Sequence, residues 1–169
     1  MKGWNSNMVK ASMFAHTACT GDYVGIPYEK LDCQAFVERV LKDSGVRTES
    51  GKVYNWKGSN DMWRNALSWK GTYQEAIKKF GAIPLGAWLF TLKDDGGEVK
   101  RGYKDGLGNA SHVGIFCGDM GNLPSIHSST GGVQWGAVPA SRWTHVGLVK
   151  CLDYSDSKKC PLCGAEVKK

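Results

Sequence analysis

Apolar residues recur at helical spacing behind Cys33, at Phe36, Val37, Val40 and Leu41, and predict an amphipathic helix that Asp32 can cap and that should stop near Gly45. The same period predicts a first helix over residues 6–18, with Met8, Val9, Met13 and Phe14 on one side. Gly25-Ile26-Pro27-Tyr28 is the break between the two. Ser59-Asn60-Asp61 has the look of a cap for a third helix carrying Met62, Trp63, Ala66 and Leu67. Thr72-Tyr73-Gln74-Glu75 is a capping box for a fourth, closed by Gly81 after Phe80. After Pro84 the pattern changes. Residues 87–92, 113–117, 125–128, 132–138 and 146–152 read as short strands parted by Gly, Pro, Asn and Asp. Helices first and strands afterwards predict an α+β fold, N-terminal helices packed on a C-terminal antiparallel sheet. Residues 93–109, rich in glycine and charge, predict a long surface loop.

The chain has 169 residues, 41% of them hydrophobic and seven of them tryptophan, enough for one packed domain with short additions. We place that domain over residues 1–154 and a basic tail over 155–169, around Cys160-Pro161-Leu162-Cys163-Gly164. A net charge of +6 suits nucleic acid, an anionic cell wall or an acidic membrane surface alike, and the lysines are scattered rather than striped, so charge alone does not choose; nucleic acid is not the partner expected. No segment approaches the roughly 20 apolar residues of a membrane span. The first seven residues lack the apolar core of a secretory signal, so the expectation is synthesis in the cytoplasm and action outside only after release by other means.

Six irregularly spaced cysteines do not read as a disulfide framework. Cys19, Cys117 and Cys151 lie in apolar surroundings and read as small buried hydrophobes. Cys33 differs. A thiol in the first turn of a helix faces the positive end of the dipole and unpaired N–H groups, which favour the nucleophilic thiolate. Cysteine hydrolysis also needs a base and a group that orients it. Of four histidines, His16 lies within the first helix on no evident site. His112, in Ser111-His112-Val113-Gly114-Ile115-Phe116, and His127 stand on strands expected to be neighbours, where one imidazole can fix the tautomer of the other. Thr144-His145-Val146-Gly147 imitates the His112 context, and spacing alone does not choose between His112 and His145. The CxxC of Cys160 and Cys163 has the form of a zinc knuckle, but a structural zinc takes four ligands. The missing pair could come from a second chain, giving a metal-linked dimer, or the motif is a vestigial ribbon or a redox-sensitive pair.

Asp32-Cys33-Gln34-Ala35-Phe36-Val37, then Pro84-Leu85-Gly86-Ala87-Trp88-Leu89-Phe90, His112-Val113-Gly114-Ile115-Phe116 and Ile126-His127-Ser128 together resemble the NlpC/P60 family of papain-like cell-wall peptidases, over roughly residues 8–152. The resemblance implies a papain-like NlpC/P60 fold with Cys33 as nucleophile, His112 as base and His127 as orienter, and no cofactor for catalysis. It further implies that Tyr28, Asp32 and Gln34 touch substrate, with Gln34-Ala35 standing where the family has Ser-Gly, and that residues 93–109 edge the groove. The implied partner is bacterial peptidoglycan, cleaved at an amide of its stem peptide, and the implied setting is a phage or prophage lysis or tail protein. Two other readings keep the same residues: an intracellular thiol peptidase or acyltransferase of this fold, and a non-catalytic wall- or protein-binding module.

Overall fold

The computed structural model describes residues 8–93, 103–164, 166 and 167. Four helices, α1 (Ala11–Thr20), α2 (Cys33–Asp43), α3 (Ser59–Asn65) and α4 (Tyr73–Phe80), accompany eight strands. The strands are β1 (Val9–Lys10), β2 (Leu67–Thr72), β3 (Trp88–Lys93), β4 (Asn109–Phe116), β5 (Ser125–Ser129), β6 (Gly132–Gly136), β7 (His145–Val149) and β8 (Leu152–Asp153). Six form one antiparallel sheet in the order β2-β7-β3-β4-β5-β6, while β1 and β8 pair separately and parallel. The expected α+β class and antiparallel sheet are therefore present.

Local chemistry explains the helices that were legible. The Asp32 carboxylate accepts from the Ala35 N–H at 2.8 Å, a cap of a kind that contributes about 1 kcal/mol. Behind it Phe36, Val37, Val40 and Leu41 are buried against the sheet. Around Thr72 both halves of the capping box form, Glu75 N–H to Thr72 Oγ1 at 3.1 Å and Thr72 N–H to Glu75 Oε2 at 2.7 Å, and Gly81 closes α4. Alternate residues of β3, and Ala87 just before it, serve opposite faces of the sheet. Trp88 and Phe90 join the core beneath α1, α2 and α3, while Ala87 and Leu89 join a second core that includes Ala76 of α4, Trp143 and Val146. The helices thus do not all pack on one side.

Several boundaries differ from expectation. Val9 lies in β1, not on a helix, because its backbone pairs with Leu152 and Lys10 is drawn to Asp153 at 2.7 Å; Ser6, with which that helix was to begin, lies outside the described residues. Leu67 leaves α3 to start β2, an edge strand paired only with β7 through a bulge. The expected strand over 146–152 is two, broken by a turn at Lys150-Cys151. β4 begins at Asn109, so His112 lies inside a strand and not at its head. Residues 94–102 of the expected loop lie outside the described residues. Its last part is gathered around Arg64, which bonds both carboxylate oxygens of Asp105, at 2.7 and 2.8 Å, and the carbonyls of Tyr103 and Gly108.

Candidate active site

β4 and β5 share only two paired positions, Ile115 with Ile126 and Phe116 with Ser125, and beyond them the strands are no longer paired. The start of α2 lies at this split. The N–H of Val113 bonds toward the Cys33 sulfur, and Ser128 Oγ, from β5, donates to the carbonyl of Leu31, just before the helix. Across the same split the two histidines meet, His112 Nε2 to His127 Nδ1 at 2.8 Å. His112 and His127 are therefore brought together, and Cys33 stands toward the backbone of Val113, the residue that follows His112.

Trp143 sets the orientation of both rings. Its indole stacks on His112 at 5.5 Å and 17° and meets His127 edge-on at 5.3 Å and 83°. Among the described residues its buried N–H has no hydrogen-bond partner, so what it supplies is its ring face. The close approach explains Gly114: a Cβ there would stand 2.7 Å from Trp143 Cη2 and 3.0 Å from His127 Cβ. The loop before β7 is pinned by Thr91 Oγ1 donating to Arg142 O (2.6 Å) and Thr144 N donating to Phe90 O (3.0 Å).

Arg142 is the residue that sequence reasoning missed. Its Nη1 lies 3.3 Å from His127 Nδ1 and 3.2 Å from Nε2. No in-plane hydrogen bond reaches both ring nitrogens equally, so the guanidinium nitrogen sits over the ring face. Burial first, and then the Arg142 charge, hold His112 down to about 4; burial, His112 and Arg142 hold His127 down to about 3. Both imidazoles are neutral at pH 7. The Cys33 thiol is pushed up, by burial first and also by the Asp32 carboxylate, against the N–H groups of Val113, Gln34 and Cys33. Burial outweighs the helix start here, so Cys33 rests as a thiol and not as the expected thiolate. Cys117 and Cys151 are also raised by burial, Cys151 to about 12.

Among the three residues expected to touch substrate, Tyr28 is 38% exposed and its hydroxyl stands near the Cys33 sulfur. Its loop is fixed to β6 by Gly25 N to Val133 O (2.9 Å) and Val133 N to Ile26 O (3.0 Å). Asp32 is exposed beside the cysteine, with one oxygen engaged in the cap. Gln34 is used otherwise: its amide nitrogen donates to Glu38 Oε1 at 2.9 Å and to the carbonyl of Trp56, whose own N–H bonds Glu38 at 2.7 Å. It holds the aromatic pair Tyr54–Trp56, stacked at 5.1 Å and 10°, next to the helix start. His145 stays out of the site, bonded to Thr144 Oγ1 at 2.8 Å and edge-on to Trp63. A cavity of about 970 Å³ opens elsewhere, between the end of α4 and the tail near Phe80, Tyr154 and Cys160. At the tail, His16, Cys160 and Cys163 form a cluster able to hold a metal ion, so His16 is not the isolated helix residue it looked.

No family model, curated protein or solved structure matches the chain. No helix among the described residues is long and apolar enough to cross a membrane.

Proposed function

We propose that the protein is a cysteine peptidase or amidase of the NlpC/P60 kind, with a papain-like arrangement, that cleaves an amide bond in the stem peptide of bacterial peptidoglycan. The observation that supports it is the 2.8 Å bond between His112 Nε2 and His127 Nδ1 beside a cysteine whose sulfur meets the Val113 N–H. A neutral His112 that donates Nε2–H to His127 keeps its Nδ1 lone pair for the thiol. Cys33 Sγ attacks the amide carbonyl as that nitrogen takes its proton. The imidazolium, held by the His127 acceptor, returns the proton to the leaving amine. Water deprotonated by the same nitrogen then releases the acyl group from sulfur. The Cys33 N–H and the Tyr28 hydroxyl face the developing oxyanion. Burial, His112 and Arg142 together keep His127 neutral, so that its Nδ1 remains an acceptor.

The decisive experiment is incubation with defined muropeptides and mass spectrometry of the products. New amine termini are expected; reactivity with thioesters or ordinary peptides but with no muropeptide would move the substrate to the intracellular reading, and no amide or thioester cleavage at all would end the enzymatic one.

The acid side of the pH profile offers a second check. Because His112 is held down to about 4, kcat/KM should fall on acidification around pH 4, and not around the ordinary 6.5. Arg142→Met removes a charge that lowers both histidines, so the acid limb should move to higher pH. A limb that stays in place in the variant would remove Arg142 from the account. Stability follows the same sign. Two imidazoles with folded values below the unfolded one contribute stability that is complete above about 6.5 and lost as the pH falls through about 4.

A further inference from the structure

Cys160 is fully buried, and its Sγ lies 3.5 Å from Nδ1 of His16, a residue 144 positions earlier on α1. Cys163 brings a second sulfur, and the three donor atoms lie within 4.8 Å of one another. The tail is shaped to present them. Gly164 N bonds Cys160 O at 2.9 Å, with Gly164 at φ +70°, closing a tight turn that turns both sulfurs to one side. Below the turn, Leu85 N bonds Ser157 O at 2.8 Å, Val167 N bonds Lys158 O at 3.0 Å, and Lys159 bridges to Glu166.

Two cysteines and one imidazole are the donor set of a thiophilic, borderline-soft cation; magnesium and calcium prefer oxygen. Geometry agrees. A tetrahedral zinc with bonds of about 2.3 Å to sulfur and about 2.0–2.1 Å to nitrogen holds those two donors about 3.5 Å apart, the separation found between Cys160 and His16.

We propose that His16, Cys160 and Cys163 of one chain bind one Zn2+ ion, with a water or other external donor in the fourth position. The ion staples the tail to α1. Phe14 of that helix shares a core with Phe36 of α2, so the staple braces the packing behind the nucleophile. No pair of thiols from a second chain is needed to assemble the three-donor set.

The test uses the full chain, stripped of metal, kept reduced and titrated with Zn2+ against a chromophoric chelator. About one zinc per chain is expected, a rise in Tm with zinc, and, with Co2+ in its place, the sulfur-to-metal band and intense visible bands of a tetrahedral site. His16→Ala and Cys163→Ser should each weaken binding by at least roughly 100-fold, since even an outer partner of a ligand is worth 10–100-fold. Cys163 is exposed, so that variant keeps the fold while removing a donor. A stoichiometry at or below about half a zinc per chain, or an affinity unchanged in His16→Ala, overturns the proposal; the half-occupied case with a zinc-dependent dimer would assign the ion to two CxxC motifs.

Discussion

Cys33→Ala is expected to lower muropeptide cleavage on the order of a million-fold in kcat, to the background of an unassisted amide, as removal of a nucleophile of this kind does. The fold should tolerate the change. Cys33 lies at the first position of α2, and neither the Asp32 cap nor the Ser128–Leu31 bond involves its sulfur. Loss of one small atom should cost about 1 kcal/mol. The reading is therefore a variant with an unchanged circular dichroism spectrum and no new amine termini. Retained cleavage in this variant would remove Cys33 from the chemistry, and with it the whole proposed mechanism.

His112→Ala should cost nearly as much, and the double variant no more than either single one. In the proposed mechanism sulfur and imidazole act as a unit, because burial holds Cys33 as a thiol and His112 is the base assigned to it. Without the base the nucleophile is idle, and without the nucleophile the base has no task, so their losses do not add. Measured kcat values for the two single variants and the double variant decide it. Losses that multiply would mean that the two residues act independently, and would overturn the proposed pairing of nucleophile and base. His112→Gln keeps more of the volume against Trp143 and controls for packing.

The parts of this arrangement that were legible in the sequence are those specified by short-range chemistry. Asp32 before an apolar helical period, and Thr72 three residues before Glu75, name their helix starts because the cap and its acceptor lie within one turn. His112 and His127 were readable as neighbours because their strands follow one another in sequence, parted only by residues 117–124. β1 and β8 were not, since two residues have no period and their partners lie 143 positions apart in sequence. β2 escaped notice because an edge strand with a bulge has no alternating face to declare. Arg142 looks like any exposed arginine until the loop held by Thr91 lays it over an imidazole. His16 and Cys160 are each unremarkable alone; their chemistry exists only once the tail folds back on α1. The thiol of Cys33 carries a different lesson. The helix start argues for thiolate, but the depth of burial at the split between β4 and β5 decides, and sequence does not report depth.

The indole stacked on His112 also makes the site visible to light. Protonated imidazole quenches tryptophan emission far better than neutral imidazole does. Trp143 touches both histidines, whereas six other tryptophans form a background. Intrinsic fluorescence should therefore carry a component that dims as the pH falls through about 4, and that component should vanish in a Trp143→Phe variant. A spectrometer without substrate can then follow the charge state of the histidine pair, and any ligand that enters the groove and alters it will announce itself in the same signal.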